Sequence, residues 1–363
     1  MTTVLLVGAG HSHLHLLRRA AVLRAAGYRV HLLAPRYFHY SGMASATAAG
    51  ALPAGAGRID VAALATSHGV QLHEGTMVGL DFQGRLAMTS EGAQLPYDVL
   101  CMAIGSVVAL PGIDVDAGVL KVKPLTELSD LDARLRASPS AIDGSGASVT
   151  VLGGGSTGLE LAAHLSVRPD VARVRLLQAG PTIGADLPDG ARRRLAALLE
   201  RRGVDVRTSC QVTRVSAAEV AYLDGSTSQH DVALVATGLA APPLLNRLGL
   251  GDERGIPVRA TLQHVHHEEV YATGDCAHFL PQPLPRIGVH GVRQGPVLLK
   301  SLLARRRGQP LPQYRPQHRA LAVLDLGAGV GMAVRGRWWW YGRAPLHLKR
   351  RIDERWLRSY RQR

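Results

Sequence analysis

The sequence predicts an α/β fold made of two three-layer domains, each built around a parallel sheet. Two glycine-rich loops carry this prediction: residues 8–13 directly follow the apolar run 4–7, and residues 153–158 directly follow the apolar run 149–152. After both loops, apolar residues recur at helical spacing. A loop between a strand and a helix lets a pyrophosphate rest against backbone N–H groups and the positive end of the helix. Two such Rossmann-like units predict two bound dinucleotides, which indicates electron transfer between them.

The first half of the chain divides into elements at its turn residues. A strand, the first loop and a helix account for residues 3–26, and residues 28–33 predict a second strand. The glycine-punctuated stretch 70–86 predicts a β-meander. The continuous apolar run 99–104 predicts a strand buried in a parallel sheet. The stretch 39–57 is rich in Gly, Ala and Ser, and we expect it to be irregular and to line a ligand.

The same order of elements then begins again. A strand, the second loop and a helix cover residues 149–165, and another strand follows at 174–177. A basic helix is predicted over residues 189–202, where Gly203 suits the C-cap position. Residues 231–236 predict a second buried strand. This repetition indicates a duplicated βαβ plan rather than two unrelated domains.

The duplication sets the expected domain boundaries. Residues 1–113 and 252–308 form the first dinucleotide-binding domain, which is discontinuous, and residues 114–251 form the second, which is inserted into it. Residues 309–363 form a small C-terminal region, rich in Arg and Trp.

Composition limits the classes of protein that the chain can belong to. The net charge of +14 favours an anionic partner, such as a nucleotide, a phospholipid or a nucleic acid. The three cysteines form no CxxC pair, so neither a disulfide framework nor a zinc site is indicated. There is no apolar run of membrane-spanning length and no basic segment of a secretion signal at the start, so we expect a cytoplasmic protein.

A third motif lies near the end of the first domain. Residues 270–277 read as a strand that ends in Thr273, Gly274 and Asp275. Open α/β sheets bind ligands at the carboxyl ends of their strands. The Asp275 carboxylate would stand there and could accept hydrogen bonds from a chain of sugar-like hydroxyls.

Taken in order, these motifs resemble those of a known superfamily. The first loop is followed by Ile104-Gly105, by the second loop with Glu160, by residues 236–238 (Ala-Thr-Gly) and by residues 272–275 (Ala-Thr-Gly-Asp). This order resembles the flavoproteins with two dinucleotide-binding domains. They include the pyridine nucleotide-disulfide oxidoreductases, the type II NADH dehydrogenases and the apoptosis-inducing-factor-like reductases.

Three further segments resemble a narrower group. They are residues 10–13 (Gly-His-Ser-His), residues 40–43 (Tyr-Ser-Gly-Met) and residues 289–297 (VHGVRQGPV). They are similar to the NADH dehydrogenase-like flavoproteins that are fused to selenide, water dikinase in some bacteria.

The resemblance implies two cofactors and the residues that bind them. FAD would lie on the first loop and NADH or NADPH on the second, with hydride passing from the nicotinamide to the flavin N5. The implied FAD-binding residues are Gly8, Gly10, His11, Ser12, His13, Pro35, Arg36, Ser41, Gly42, Met43, Val78, Ile104, Gly105, Ser106, Gly274 and Asp275. The implied NAD(P)H-binding residues are Gly153, Gly155, Ser156, Thr157, Gly158, Gln178, Thr237 and Gly238.

Three positions depart from the pattern of this superfamily. His13 stands where the third glycine of the first loop permits close packing of helix and strand. Pro35 follows the second strand, where an acidic residue usually binds the adenosine ribose. Gln178, at the matching place in the second domain, neither repels a 2′-phosphate as a carboxylate would nor attracts it as an arginine would. The choice between NADH and NADPH is therefore open.

The cysteines indicate how the electrons leave the flavin. Disulfide reductases of this fold carry a cysteine pair just after the first ribose-binding strand, and residues 38–51 contain none. Cys276 is either a redox thiol near the flavin or a small packed side chain. We expect electrons to pass directly to a small acceptor without a cysteine relay, and a quinone is the leading candidate.

Two residues are candidates for catalytic roles. Gln294 begins a predicted helix aimed at the flavin, and it could hydrogen-bond a quinone carbonyl or the flavin edge. Glu160 could position the nicotinamide or relay protons, or it could be a solvated helix carboxylate. No metal site is expected, because a metal at His11 and His15 would compete with the pyrophosphate.

The basic tail suggests a partner for the C-terminal region. Residues 335–363 contain ten Lys or Arg against two acidic residues, and Leu348, Ile352, Trp356 and Tyr360 recur every four residues. A helix with one apolar stripe beside arginines and tryptophans suits an anionic membrane surface. The alternative is a helix packed on the body of the protein or in a homodimer interface.

The sequence thus predicts an FAD-dependent NAD(P)H dehydrogenase that passes electrons to a quinone-like acceptor and contacts the cytoplasmic face of the membrane peripherally. One alternative is a flavin-dependent redox sensor with little turnover. The other is an apoptosis-inducing-factor-like protein that binds nucleic acid. No dedicated nucleic-acid motif is present, so nucleic acid is not the expected partner.

Overall fold

The computed structural model describes residues 1–361. Residues 362–363 lie outside the described residues, so Arg363 of the basic tail has no structural account. In chain order the strands are β1 (Thr2–Val7), β2 (Tyr28–Ala34), β3 (Tyr37–His39), β4 (Arg58–Asp60), β5 (Gln71–Glu74), β6 (Met77–Asp81), β7 (Leu86–Thr89), β8 (Gln94–Pro96), β9 (Val99–Met102), β10 (Val107–Val108), β11 (Asp114–Val115), β12 (Leu120–Lys121), β13 (Ala147–Leu152), β14 (Val171–Leu177), β15 (Asp205–Arg207), β16 (Val212–Val215), β17 (Glu219–Tyr222), β18 (Thr227–Gln229), β19 (Val232–Val235), β20 (Leu239–Ala240), β21 (Ile256–Val258), β22 (Val270–Ala272), β23 (Ala277–Phe279), β24 (Ala322–Asp325), β25 (Gly331–Arg335) and β26 (Trp338–Gly342).

The helices, in chain order, are α1 (His11–Arg18), α2 (Ala20–Ala25), α3 (Ala44–Ala48), α4 (Val61–Ser67), α5 (Leu125–Leu128), α6 (Leu131–Arg136), α7 (Pro139–Ile142), α8 (Ser156–Leu165), α9 (Asp189–Arg201), α10 (Leu244–Arg247), α11 (Gly288–Arg306) and α12 (Arg343–Arg358). Two short 3₁₀ turns, Ser41–Met43 and Gly274–Cys276, complete the list.

The first parallel sheet has the strand order β22-β9-β1-β2-β5. Its central strand β1 is almost fully apolar, and Val4 pairs with Val30 on one side and with Val99 on the other. The late strand β22 adds to the edge through β9, so a segment after residue 252 does belong to the first sheet. Helix α1 packs against α11, where Gly291 and Gly295 present small surfaces to His11 and His15. The glycines of the segment 289–297 therefore serve close helix packing.

The second parallel sheet repeats this plan, with the order β12-β19-β13-β14-β15. Its central strand β13 pairs in register with β14 and β19, and the apolar side of α8 lies in the same core as these strands. Each sheet is followed by a small antiparallel sheet, β6-β7-β8 in the first unit and β16-β17-β18, with β11 at its edge, in the second. The predicted α/β class with two Rossmann-like three-layer units is confirmed.

The predicted elements differ from the observed ones mainly where helices break. The helix expected after the first loop is interrupted at Arg19, between α1 and α2. The domain boundary at residues 251–252 remains a prediction. Leu245 and Leu250 lie in the first core, and this packing favours a boundary nearer residue 240.

The C-terminal region forms a sheet of β24, β25 and β26 followed by α12. Met332 and Val334 join the second core, whereas Leu357 and Tyr360 join the first. The tail therefore packs on both units, which agrees with the alternative of a helix packed on the body of the protein.

The exposed face of α12 differs from the apolar stripe that was predicted to contact a membrane. Trp356 and Tyr360 pack against the first core, together with Leu357, while Ile352 is 43% exposed. Residues spaced by four do not stay on one face of an α-helix, because the helix has 3.6 residues per turn. The predicted stripe therefore drifts around α12. Only part of the stripe is therefore available at the surface.

The two glycine loops reach the same geometry by different chemistry. In the second loop, a Cβ on Gly158 would lie 1.9 Å from the carbonyl oxygen of Gly153, so only glycine fits there. In the first loop the matching residue is the buried His13, whose Nδ1 donates a hydrogen bond to the carbonyl oxygen of Gly8 at 2.6 Å. A side-chain hydrogen bond thus takes the place of close backbone packing.

Burial lowers the pKa of His13 to about 4, below its value of 6.5 in the unfolded chain. The unfolded state therefore binds more protons between these values, and the free energy of unfolding falls as pH decreases. In H13N the amide nitrogen can replace Nδ1 as donor without titrating. We expect wild type to lose about 2 kcal/mol relative to H13N between pH 7 and pH 5, measured by urea unfolding. A stability difference that does not change with pH would contradict this assignment.

Candidate functional site

A cleft of about 430 Å³ lies at the carboxyl ends of β1, β2 and β9. It is the position at which open parallel sheets bind ligands. Six of the sequence-predicted residues line it, namely Gly8, Gly10, Pro35, Ile104, Gly105 and Ser106. A Cβ on Gly8 would lie 2.5 Å from the carbonyl oxygen of Ala103, so the loop has no room for a side chain there.

Asp275 is not among the residues that line this cleft, but it contacts two that are, Ser106 and Lys123. Its Oδ2 accepts a hydrogen bond from Ser106 Oγ at 2.9 Å and lies 3.9 Å from Lys123 Nζ. The turn that carries Asp275 is held in place by Gln294, because the side-chain oxygen of Gln294 accepts the N–H of Gly274 at 2.7 Å. Gln294 is buried, and its oxygen is engaged in this bond. The role that this geometry supports is positioning of the Asp275 turn rather than direct contact with an acceptor.

Helix α1 is joined to the same turn. Ser12 Oγ lies 2.6 Å from Thr273 Oγ1, and both groups are buried. His11 packs in an aromatic cluster with Phe38, Tyr40 and Trp356, at ring centroid distances of 5.1–5.9 Å. Burial lowers the pKa of His11 to about 4, so its ring is neutral at pH 7.

Several predicted FAD-binding residues lie outside the lining of this cleft. Arg36 is paired with Asp60 at 3.3 Å and points to solvent. Val78 is 53% exposed, and the neighbouring Met77 lines the cleft instead. Alternation along a strand brings only one of two adjacent side chains to a given face, so the side chain of Val78 faces away from this cleft. Its role in binding FAD stays a prediction.

Ser41, Gly42 and Met43 lie in a 3₁₀ turn beside the first cleft rather than within it. The predicted ligand-lining stretch around them borders a second cleft of about 730 Å³, closed on its other side by α5 and α6. The carbonyl oxygen of Gly42 accepts a hydrogen bond from Lys349.

The second glycine loop faces open space. A Cβ on Gly155 would meet no atom within 4 Å, and the same holds for Gly238. Gln178 Oε1 accepts the N–H of Gly154 at 2.7 Å, so this side chain lies against the second loop. Its contact with the adenosine ribose stays a prediction. Thr237 Oγ1 donates to the carbonyl oxygen of Ala109. Ser156 and Thr157 open helix α8 directly after the loop.

Glu160 connects the second domain to the other parts of the chain. Its Oε1 accepts the N–H of Asp325 at 2.8 Å, and its Oε2 accepts a hydrogen bond from Ser45 Oγ at 3.3 Å. Burial raises its pKa, and the nearby charge of Lys349 acts in the opposite direction. The expectation of a solvated helix carboxylate is therefore wrong.

Sequence reasoning missed the polar group that meets Glu160. Lys349 on α12 reaches into the body and lies 3.1 Å from Asp353 Oδ2. Asp353 Oδ1 accepts a hydrogen bond from Tyr40 at 2.9 Å. Burial raises the pKa of Asp353, with Lys349 opposing that rise. The chain Tyr40–Asp353–Lys349, which we call the buried relay, lies next to Glu160.

The one available signal for this group was a break in pattern. Lys349 and Asp353 are spaced i, i+4 within a helix whose other charges are mostly exposed basic residues. The two acidic residues of α12, Asp353 and Glu354, are adjacent, and Asp353 is the one that is buried.

The cysteines near the first cleft are packed. Cys276 is fully buried, and burial raises the pKa of its thiol to about 11. Its Sγ lies 3.3 Å from the carbonyl oxygen of Thr273. Cys101 is also buried, and Cys210 lies in the second domain beside Gln178, whose carbonyl accepts the Cys210 N–H.

The loops fit dinucleotide cofactors on structural grounds. Helices α1 and α8 both begin at a loop glycine without a side-chain cap, which leaves their N-terminal N–H groups available to a pyrophosphate. Within residues 1–361 no cluster of three or more His, Cys, Asp or Glu has metal-binding geometry. No helix in the described part of the chain has the length and apolarity to cross a bilayer.

Two uncapped glycine loops on matching sheets, with an acidic turn at the first and a buried glutamate after the second, define a two-domain dinucleotide-binding oxidoreductase. The chain belongs to the pyridine nucleotide-disulphide oxidoreductase family, whose model matches residues 2–295. The cofactors are FAD and NAD(P)H.

Several known proteins are moderately similar to this chain in sequence or in fold. The demethylphylloquinone reductase NdbB of Synechocystis sp. is 27% identical over 293 residues, which are 75% of this chain and 72% of that protein. The ferroptosis suppressor protein 1 of Mus musculus is 23% identical over 275 residues, 71% of this chain and 70% of that protein. The structure of the sulfide:quinone oxidoreductase from Aquifex aeolicus superposes with a TM-score of 0.82 over 99% of this chain and 92% of that chain, at 15% identity.

Removal of the Asp275 carboxylate should weaken FAD binding. We expect D275A to bind FAD at least about tenfold more weakly, because a hydrogen bond to a charged group contributes roughly 1.5–3 kcal/mol. The measurement is the ratio of flavin to protein absorbance after purification and dilution. The matched control is D224N, which alters an exposed turn of the second domain. Equal flavin retention in D275A and wild type would show that Asp275 does not bind FAD.

Proposed function

We propose that the protein is an FAD-dependent NAD(P)H:quinone oxidoreductase that works without a cysteine relay. The observation that carries this proposal is the buried relay beside Glu160, at the meeting point of both domains and α12. It places polar groups that can hold protons where the two domains meet α12. Quinone reductase names among the relatives support the choice of acceptor.

The chain's own residues have distinct roles in this proposal. FAD, when bound, accepts hydride from NAD(P)H and delivers electrons to the acceptor. Gly8, Gly10 and Gly155 allow backbone to approach the two cofactors closely, and Asp275 with Ser106 holds the first cofactor's sugar hydroxyls. Gln294 keeps the Asp275 turn in place. Glu160 would help to position the nicotinamide.

Quinone reduction also needs a proton that hydride does not supply. The quinone takes up two electrons and two protons, whereas NAD(P)H provides two electrons and one proton as hydride. One proton must therefore come from solvent. In the buried relay, Lys349 Nζ holds a proton next to Asp353, and the Tyr40 hydroxyl donates to the other oxygen of the same carboxylate. We assign proton delivery to this chain of groups.

Direct electron transfer to the acceptor is supported by the state of the thiols. Cys276, the cysteine nearest Asp275 in sequence, is buried with a raised pKa, and reactive thiols need a lowered one. The cysteines at positions 101, 210 and 276 are free. These features support the proposal that no cysteine pair relays the electrons.

We also propose that the protein meets its quinone at the cytoplasmic face of the membrane, through peripheral contact of the C-terminal region. Exposed arginines on α12, including Arg350 and Arg351, support attraction to anionic lipid. Contact with a membrane gives access to an acceptor that is dissolved in it.

The direct test is an anaerobic spectral titration of the purified holoprotein. We expect the flavin bands to bleach with NADH and to return on addition of a water-soluble short-chain quinone. C276A should behave in the same way, with turnover within about threefold of wild type, because a packed thiol takes no part in the reaction. If C276A retained its flavin but lost quinone turnover, the result would support a thiol relay through Cys276.

Two other outcomes would favour the alternatives. Bleaching by NADH that no quinone reverses would point to a redox sensor with little turnover. A flavoprotein that no nicotinamide reduces, but that binds duplex DNA, would point to the nucleic-acid alternative.

The coenzyme preference should depend on Gln178. Because an amide stands at the ribose position, we expect wild type to use both NADH and NADPH. In Q178E the carboxylate would face the 2′-phosphate, so kcat/KM for NADPH should fall by more than about tenfold while that for NADH is retained. Q313E, an equal charge change on the exposed C-terminal region, is the control. An unchanged ratio of the two kcat/KM values would remove Gln178 from the ribose site.

A further inference from the structure

The hairpin formed by β25 and β26 carries the most exposed large aromatic side chain of the described structure. Trp338 is 79% exposed, and Trp340, two residues along the same strand, is 41% exposed. The strands are joined at Arg335 and Trp338 by a tight turn in which Gly336 has a φ of +60°. Two tryptophans in water on one short strand need an explanation, because folding alone favours their burial.

Alternation along β26 shows that these tryptophans do not serve the core. The intervening Trp339 and Tyr341 pack against the second core, where Arg194 lies 4.2 Å above the Tyr341 ring. Trp338 and Trp340 point to the opposite face of the strand. The hairpin is therefore held by one set of aromatic residues and presents the other set outward.

The tip of the hairpin is also cationic. Arg335 and Arg337 flank the turn and are exposed. Arg319 lies across it, with its side chain within 2.9 Å of the position that a Cβ on Gly336 would take. Three guanidinium groups thus lie at or beside the turn that precedes the exposed tryptophans. Guanidinium binds phosphate through paired N–H donors.

We propose that this hairpin is the surface on which the protein docks to an anionic phospholipid bilayer, with Trp338 and Trp340 entering the interface. Indole rings favour the boundary between headgroups and acyl chains, and arginines beside them meet lipid phosphates. This inference deepens the membrane contact proposed above and moves it from the stripe on α12 to the hairpin. It commits to a bilayer because the patch joins apolar rings to positive charge.

The hairpin also suits a bilayer mechanically. It is short, it is anchored by Trp339 and Tyr341, and Trp338 and Trp340 lie outside both hydrophobic cores. Docking would therefore need no unfolding of α12, whose Trp356 and Leu357 stay packed on the first core.

The experiment is co-sedimentation of the holoprotein with vesicles of phosphatidylcholine, with and without about one third phosphatidylglycerol. We expect binding to the anionic vesicles, weakened by salt, and a partition at least about tenfold lower in W338A/W340A. R335Q/R337Q should also bind less, with a smaller dependence on salt. The matched control is I142A/L223A, which removes two exposed apolar side chains from the second domain.

Each other outcome would overturn the proposal. Unchanged binding of W338A/W340A, with loss in I352A, would place the contact on α12. A wild-type protein that ignores vesicles but forms a dimer lost in W338A/W340A would place a second copy of the chain on the hairpin. Binding to duplex DNA in place of vesicles would assign the patch to nucleic acid.

The test is separable from that of the proposed function. Reduction of a water-soluble quinone without vesicles measures the catalytic site alone. We expect W338A/W340A to keep that turnover, so a failure of docking and a failure of catalysis are distinguishable.

Discussion

The arrangement of the molecule depends on one buried cation. Lys349 reaches from the C-terminal helix to the carbonyl oxygen of Gly42 in the first domain and to Asp353 on its own helix, and its charge acts on Glu160 of the second domain. Buried carboxylates are stable only when they are paired and hydrogen-bonded. Without this ammonium group, the acids at the junction would be uncompensated. The same interaction that joins α12 to the first domain therefore brings together the groups to which we assign proton delivery.

The two halves of the molecule show how one plan tolerates different local chemistry. Both sheets place a glycine loop at their carboxyl ends, and both following helices begin without a side-chain cap. The second loop depends on Gly158, whereas the first uses the hydrogen bond from His13 to Gly8. His13 departs from the glycine pattern of the superfamily, but its hydrogen bond has a structural effect equivalent to that of the third glycine.

The sequence was sufficient for features set by local order. Strand–loop–helix units, the acidic turn at Asp275 and the α/β class follow from short-range patterns, and the structure agrees with them. The buried relay does not follow, because Tyr40 and Asp353 are distant in sequence and meet only through the packing of α12. The packing of Trp356 against the first core was not predicted, for the same reason. Periodicity defines an apolar stripe on a helix, but it does not tell which side of the helix meets the core. The contact of Gln294 with Gly274 could not be predicted either, because it depends on the tertiary arrangement.

The central claim is that Lys349 links the two dinucleotide sites chemically as well as structurally. The most direct measurement is rapid mixing of reduced holoprotein with a short-chain quinone, comparing wild type, K349M and K349R at equal flavin content. The account predicts that K349M slows reoxidation by at least about a hundredfold per bound flavin, with partial rescue in K349R and an altered dependence on pH. K349M that retains flavin and is reoxidised at the wild-type rate, with the wild-type pH profile, would contradict it.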